Sequence, residues 1–343
     1  MKIKWRLVGV AIMGLVVGLG MQGLKPAKAA TPSEELTSSL QSYLSTLTGD
    51  YTISVRELES PQTSVAIDEN RRIDPASVIK LFYAWAAYRQ LDLGRITLSQ
   101  KLPQGPTWGS CLRYMIEVSD NDCTVYIRQS LGNKNLNTLF AASGYANTRI
   151  VLDSYGRYKT KYTTAYDTTL LLSRLQRGTL LSAGSTNLFH ALLGRQAFRS
   201  RIPSGVESGV RVENKVGELL VSTGMINADA AIVFGPQSHY VISVYGRNNA
   251  KVSEISQISK IVYEALEAPI VTRAQFPKAQ YLVRVDGYVH RDNRTIWYRI
   301  PQGVSVEVIY AEDQWLYVKP QGRVAGWMQL ADLVLKPSYI WSR

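Results

Sequence analysis

The spacing of apolar and polar positions along the chain predicts a succession of helices and strands. Apolar residues recur every three or four positions in three segments, each of which predicts a helix: 33–48, 75 to about 91, and 251–267. Strict alternation predicts five strands, at 51–58, 63–67, 210–217, 221–234 and 239–246. The long stretch between these two groups of strands, 110–195, is mostly helical in pattern, with polar breaks at 119–121, at Gly144 and over 153–164.

This order of elements predicts an α/β fold of the layered α+β kind. Two strands come early in the chain and three come late, with a helical block between them and a helix at each end. Because strands that follow each other tend to pair, one antiparallel sheet assembled from both ends of the segment is expected, flanked by helices. The helical block is expected to form an all-helical subdomain beside that sheet.

A change of pattern after residue 268 predicts a second domain. Residues 275–343 hold four of the seven tryptophans, in short alternating runs separated by glycine-containing turns. The sequence therefore predicts a main domain over 30–268, a linker over 269–278 and a small all-β barrel over 279–338.

The first 29 residues have the composition of a secretory signal. Lys2, Lys4 and Arg6 precede an apolar run to about Leu24, and a small-residue cleavage pattern ends at Ala29. We predict a secreted or periplasmic protein after cleavage near Ala29, with an uncleaved membrane anchor as the alternative.

Composition and charge narrow the classes of function. The chain is 45% hydrophobic and 19% charged, which favours a buried core over disorder or a polytopic membrane protein. Of the net charge of +12, five positive charges lie in the predicted signal, which contains no acidic residue, so the rest carries +7. That surface suits anionic wall polymers or lipid head groups, and no nucleic-acid partner is expected for an exported protein.

The two cysteines, Cys111 and Cys123, lie 12 positions apart. An oxidising compartment would allow one disulfide between them, which would staple the segment they enclose. Two buried thiols are the alternative, and spacing alone does not decide between them.

A serine and a lysine near the start of the second helix form the first chemical motif. Ser77 and Lys80 are three positions apart, so they share a helix face. A lysine desolvated by the aromatic residues that follow it would lose proton affinity and could accept the proton of the serine. The competing interpretation is a helix cap followed by a solvated lysine.

Two further motifs follow in order. Ser119-Asp120-Asn121 lies between two helical runs, where it would serve either as a proton relay and amide-binding group or as a helix cap. Lys215-Val216-Gly217 ends a strand, where the lysine offers positive charge and the glycine allows another backbone to approach.

The ordered trio resembles the active-site signature of class A β-lactamases and penicillin-binding proteins, over roughly residues 33–268. Residues 279–335 resemble, more loosely, a bacterial SH3-like domain. The first resemblance implies a serine hydrolase that acts on β-lactams or cell-wall peptides without a cofactor, and the second implies contact with the cell wall.

The resemblance also implies roles for individual residues. Ser77 would attack the acyl carbonyl, Lys80 would be its base, and Ser119 would pass the proton to the leaving nitrogen. Lys215 would support that proton path and attract a substrate carboxylate. The remaining groups would bind substrate: Asn121 its amide, the Gly217 edge its backbone, and the N–H groups of Ser77 and Glu218 its oxyanion.

Three features depart from that family. No glutamate lies between Glu117 and Glu207, so the deacylating glutamate of class A enzymes is missing; Asp153 is the nearest substitute, although a structural role suits it better. Because that glutamate is missing, slow deacylation is expected. Val216 stands where the family has a hydroxyl residue, and Glu218 adds a negative charge; both are unfavourable to a substrate carboxylate.

Other chemistries fit poorly. The chain has three histidines, no G-x-S-x-G or H-E-x-x-H motif and no phosphate loop, so neither a metal nor a cofactor is expected. His190, within an apolar helical run, is expected to be packed. Two alternatives to the hydrolase of β-lactams or wall peptides remain: a non-catalytic wall-binding protein on the same scaffold, and a hydrolase of acyl substrates without a carboxylate.

Overall fold

The computed structural model describes residues 31–58, 63–267, 280–283, 287–290, 296–312, 315–320, 323, 325–329 and 332–335. The predicted signal (1–29) and the predicted linker (269–278) lie outside these residues. Among those described, no helix is both long enough and apolar enough to cross a membrane.

The helices of the main domain follow the predicted pattern. They are α1 Pro32–Leu44, α2 Lys80–Asp92, α3 Trp108–Glu117, α4 Asn121–Leu131, α5 Asn133–Ala142, α6 Ala165–Gln176, α7 Ala183–Gly194 and α8 Val252–Glu267. A 3₁₀ turn, Ala76–Ile79, leads directly into α2, and another, Ile202–Gly205, precedes the last group of strands.

The strands form one five-stranded antiparallel sheet and a separate hairpin. The strands of the main domain are β1 Asp50–Glu57, β2 Ser64–Ile67, β3 Arg149–Leu152, β4 Tyr158–Tyr162, β5 Arg211–Val221, β6 Gly224–Phe234 and β7 His239–Arg247. The sheet order is β2-β1-β7-β6-β5, so the early strands pair with the late ones through β1 and β7. The fold-class prediction is confirmed.

Helices cover both faces of this sheet. One apolar core joins α1 and α8 to one face, and a second core joins the other face to α2 and the helical block. Strand β6 is accordingly a nearly continuous buried run, as expected of a strand with both faces covered. Helix α2 is buried on all sides from Lys80 to Tyr88, because it lies at the centre of the second core.

The hairpin β3–β4 corrects the sequence-based expectation for this stretch. The pattern over 110–195 was helical with a polar break at 153–164, whereas residues 149–152 and 158–162 pair as strands. Consecutive β-branched residues, Ile150 and Val151, favour strand, and Gly156 adopts the positive φ of 76° that the connecting turn requires. Strand β5 also runs to Val221, four residues beyond its predicted end, because it pairs with β6 along its whole length.

The C-terminal part is all β. A single sheet, in the order β10-β9-β13-β12-β11-β8-β14, contains β8 Gln280–Val283, β9 Gly287–His290, β10 Ile296–Ile300, β11 Ser305–Glu312, β12 Trp315–Pro320, β13 Gly326–Gln329 and β14 Leu333–Leu335. Its own small core is built from aliphatic side chains such as Val289, Leu316 and Met328. This curled sheet is consistent with an SH3-like domain.

Candidate active site

The backbone at Ser77 forms a strained turn. Ala76, immediately before it, has φ of 47°, which is uncommon for a residue with a Cβ. The Asp74 carboxylate stabilises this conformation, because its Oδ1 accepts a hydrogen bond of 2.8 Å from the Ala76 N–H. Every other residue from Pro75 to Tyr88 is buried, whereas Ser77 is partly exposed. The turn thus leaves the Ser77 side chain partly accessible to solvent; strain at such a position often accompanies function.

Lys80 extends from the first residue of α2 toward the α3–α4 turn. Its side chain is 2% exposed. The ammonium group donates to the Ser119 carbonyl oxygen (2.6 Å), the Ser119 hydroxyl (3.1 Å) and the Asn121 amide oxygen (3.0 Å). Within the described residues, the Ser77 hydroxyl makes no hydrogen bond, so the expected proximity of serine and lysine is not realised here as a direct bond.

The α3–α4 turn is held in place from both sides. Ser119 has a positive φ of 59°, and Asp120 caps α4 by accepting the Cys123 N–H at 2.7 Å. A disulfide joins Cys111 in α3 to Cys123 in α4, with their Cα atoms 4.8 Å apart. Because this bridge encloses the turn, it limits the conformations open to Ser119.

Strand β5 brings the third motif to the same hydroxyl. Lys215 is fully buried, and its ammonium group donates to the Ser119 hydroxyl (2.9 Å) and to the Val216 carbonyl (2.8 Å). Three segments separated by up to 138 positions therefore meet: the α2 start, the α3–α4 turn and β5. This convergence is the central geometric fact of the site.

The two lysines are strongly perturbed. Burial lowers the pKa of Lys80 to about 8; the Asp120 charge opposes this shift and the Lys161 charge adds to it. Burial also places the pKa of Lys215 well below its usual value, with the charge of Lys80 acting in the same direction. Both lysines therefore lose a proton at lower pH than an exposed lysine does.

Gly217 allows β5 to lie against the serine turn. A Cβ at this position would be 2.8 Å from the Pro75 carbonyl oxygen and 3.1 Å from a methyl group of Val78. Real side chains do not approach that closely, so a glycine is required for the strand edge to reach the Ser77 turn. Glu218, the next residue on β5, is exposed.

Arg201 is a buried cation beside β5 that no sequence motif marks. It is 4% exposed, and its Nη2 donates to Glu218 Oε2 (2.8 Å) and Asn227 Oδ1 (2.6 Å). Its Nε, also buried, has no hydrogen-bond partner among the described residues. Behind it, burial raises the pKa of Asp229 to about 6, and Asn214 holds that carboxyl through its amide group at 3.0 and 3.1 Å.

Asp153 has the structural role expected of it. Its Oδ1 accepts the backbone N–H groups of Tyr155 (2.9 Å) and Arg157 (2.8 Å), and Oδ2 accepts the Arg157 guanidinium (2.8 Å). These bonds, that of the Arg157 backbone first, lower the pKa of Asp153, which makes this carboxylate a weak base. It builds the turn of the β3–β4 hairpin.

The remaining candidates for chemistry are accounted for structurally. His190 hydrogen-bonds through Nδ1 to the buried Glu213, which fits the packed role expected for it. In the part of the chain that the structure describes, no group of three or more histidine, cysteine, aspartate or glutamate side chains is arranged to hold a metal ion.

Solved structures share this fold and arrangement of elements. A structure of PBP-A matches with a TM-score of 0.62 and 24% identity, over 68% of this chain and 97% of that chain. TLA-3 extended-spectrum beta-lactamase matches with a TM-score of 0.63 and 19% identity, over 68% and 99%. An ancestral class A beta-lactamase, GNCA, gives 0.60 and 20%, over 67% and 99%. The main domain therefore has the class A β-lactamase fold.

The sequence profile of the Beta-lactamase2 family, described as the beta-lactamase enzyme family, matches residues 34–266. The chain belongs to this family, which confirms the resemblance drawn from the three motifs. The comparison with curated protein sequences found no match.

Proposed function

We propose that this protein is an extracytoplasmic serine hydrolase that forms an acyl-enzyme on Ser77 with β-lactams or cell-wall peptides and releases the acyl group slowly. The family and the fold support a β-lactamase-like serine hydrolase. The substrate, the covalent intermediate and the rate of its release are the parts that we propose.

The observation that carries this proposal is the convergence of Lys80 and Lys215 on the Ser119 hydroxyl. A hydroxyl oxygen accepts two hydrogen bonds and donates one. With both acceptor sites taken by the lysines, the Ser119 proton is left to point toward a third group in the cleft. This arrangement suits a proton relay better than it suits a helix cap, a task already done here by Asp120.

The proposed acylation step begins with neutral Lys80. Lys80 accepts the hydroxyl proton of Ser77 while the serine oxygen bonds to the carbonyl carbon of the substrate. The resulting oxyanion lies between the N–H groups of Ser77 and Glu218, as the family resemblance implies. The C–N bond then breaks, and the leaving nitrogen takes a proton from Ser119, which recovers one from protonated Lys80.

Slow deacylation follows from how the nearby carboxylates are engaged. Among the described residues close to Ser77, Asp74 pairs with Lys161, and Asp120 caps α4. Asp153 is fixed in its hairpin turn, and Glu218 pairs with Arg201. None of them is free to activate water, so the ester is expected to persist. A variant of PBP-A, a protein of the same fold, is an acyl-enzyme complex with penicillin G.

A second candidate, hydrolysis of acyl substrates without a carboxylate, is favoured by one observation. Glu218 occupies Nη2 of Arg201, a buried cation beside the cleft, and Val216 offers no hydroxyl to a carboxylate. A negatively charged substrate would therefore meet a negative side chain at the position next to Gly217. A neutral ester or amide would meet no such repulsion.

The test is intact-mass spectrometry of the protein after exposure to benzylpenicillin and, in parallel, to its methyl ester. We expect a persistent adduct of one drug mass that is lost in Ser77→Ala. The two reagents differ only in the carboxylate, so they separate the two candidate substrates. An adduct with the ester alone would favour the second candidate.

Two outcomes would contradict the proposal. Rapid drug hydrolysis without an adduct would mean that deacylation is fast and that a base has been overlooked. Neither an adduct nor hydrolysis with either reagent would favour a non-catalytic wall-binding protein on this scaffold.

A further inference from the structure

The nucleophile turn is attached to the β3–β4 hairpin by two kinds of contact. The backbone of Ile73 exchanges both of its hydrogen bonds with that of Thr163, just after β4, each at 3.0 Å. One residue later, the Asp74 carboxylate accepts from Lys161 Nζ (2.9 Å) in the hairpin itself. The hairpin and the serine turn therefore form one connected unit.

The Asp74 carboxylate is hydrogen-bonded both to the hairpin and to the serine turn. Its Oδ1, which receives the Lys161 ammonium, also receives the Ala76 N–H at 2.8 Å, the bond that stabilises the strained backbone before Ser77. The pair is largely enclosed, with side-chain exposures of 23% for Asp74 and 15% for Lys161. An ion pair this sheltered is screened less by salt and solvent than a surface pair.

Charged groups lie near Lys80 in three other segments. Asp120 lies in the α3–α4 turn, Lys215 lies on β5, and Lys161 with Asp74 lies at the hairpin side. Of these, Lys161 and Asp74 belong to no recognised motif of the site. Lys161 nevertheless adds a positive charge that acts on the lysine on which acylation depends, and Asp74 is the counter-ion of Lys161.

We propose that the Asp74–Lys161 ion pair is a positioning device for the acylation reaction, which holds the Ser77 turn and balances the charge that Lys80 experiences. Both residues act through others, Asp74 through the Ala76 backbone and Lys161 through Lys80. This inference rests on the proposed function, since it concerns the same serine.

The two halves of the pair have opposite electrostatic effects. Removing Lys161 leaves Asp74 negative and unpaired, which favours protonated Lys80 and raises the pKa of that lysine. Replacing Asp74 with asparagine leaves Lys161 positive, which disfavours protonated Lys80 and lowers the same pKa. An asparagine oxygen still accepts the Ala76 N–H, so the backbone bond is retained.

The test is the pH dependence of the acylation rate with benzylpenicillin or its methyl ester, whichever labels Ser77. For the unchanged protein, the rate should rise through a midpoint near the pKa of Lys80, about 8. Lys161→Met should move the midpoint up, and Asp74→Asn should move it down, each by about 0.5 to 1 pH unit. Lys161→Arg should restore the original profile.

Lys159→Met is the matched control, since Lys159 is an exposed lysine on the same strand, two positions away. It should leave the midpoint unchanged. A pair that only stabilises the fold would slow acylation in both variants without shifts of opposite sign, and that result would overturn the inference.

A second measurement keeps the inference independent of the proposed function. NMR titration of ¹³Cε-labelled lysines, with the Lys80 signal assigned from Lys80→Arg, follows the protonation of Lys80 directly. If no reagent labels Ser77, the proposed function fails, while opposite NMR shifts in the two variants would still support the ion pair's effect on Lys80. Unchanged NMR midpoints would refute it.

Discussion

We expect substrate specificity at this site to depend on single side chains that differ from the family pattern. Val216 removes a hydroxyl, and Glu218 brings a carboxylate to Arg201. The Glu218 side chain is 61% exposed whereas that of Arg201 is 4% exposed, so the glutamate is the solvent-accessible partner of the pair. We expect the glutamate to compete with a substrate carboxylate for this cation.

Glu218→Gln should increase acylation by benzylpenicillin by about tenfold, because it removes a charge of the same sign as the substrate carboxylate and no longer neutralises the charge of Arg201. Acylation by the methyl ester should change less than about twofold, since the ester has no charge to repel. The rates come from the mass-spectrometric time course of each adduct. Equal changes for both reagents would show that Glu218 does not act through charge.

At the scale of elements, the site depends on how closely β5 approaches the serine turn. Strand β5 lies at one edge of the five-stranded sheet, where it pairs with β6 on one side. Gly217 leaves the free edge bare at the position where the Pro75 carbonyl approaches. The contact between a sheet edge and a 3₁₀ turn thus positions Lys215 and Ser77 relative to each other.

Gly217→Ala should lower the free energy of unfolding by about 1–3 kcal/mol, because the added methyl group overlaps the Pro75 carbonyl and neither backbone segment can yield freely. Acylation of Ser77 should fall with it. Urea unfolding and the adduct time course measure the two effects.

Gly184→Ala provides the control for this substitution. Its Cβ would lie 3.9 Å from the nearest atom, the hydroxyl oxygen of Ser182, within helix α7. An alanine there should be neutral or should stabilise the protein by up to about 1 kcal/mol. If Gly217→Ala were equally harmless, the close approach of β5 would not constrain the site.

At the scale of the whole molecule, residues that are far apart in sequence form the site, and the C-terminal sheet packs separately. The central sheet takes strands from both ends of the family-matched segment, so Ser77 and Lys215, which are far apart in sequence, come together only on folding. The C-terminal sheet has a core of its own, distinct from the two cores of the main domain.

Limited trypsin digestion tests the predicted domain boundary. The predicted linker, 269–278, contains Arg273 and Lys278, both trypsin sites. We expect early cleavage there and a stable fragment ending at Arg273 that still forms the Ser77 adduct. Early cleavage within 30–268, or loss of labelling on cleavage in the linker, would contradict an independent main domain. Mass spectrometry identifies the fragments.

Much of the architecture could be predicted from local pattern because the main elements are long and strongly periodic. Helices α1, α2 and α8 and all five strands of the main sheet appear where the spacing of apolar residues placed them. The sequence pattern does not reveal the hairpin β3–β4 because its strands are four and five residues long and Ile150 alone among their residues is buried, so burial imposed little alternation on them.

The sequence by itself determined the layered fold, the ordered trio of serine and lysine motifs and the absence of a glutamate in the expected stretch. Only the tertiary structure decided which further groups join them. Arg201, Asp74 and Lys161 carry no local signal, because an ion pair between positions 74 and 161 depends on distance in space. The pairing of Cys111 with Cys123 was likewise open until two helices brought the thiols together. Periodicity records which side of an element is buried, whereas the partners of a buried charge are set by packing between elements.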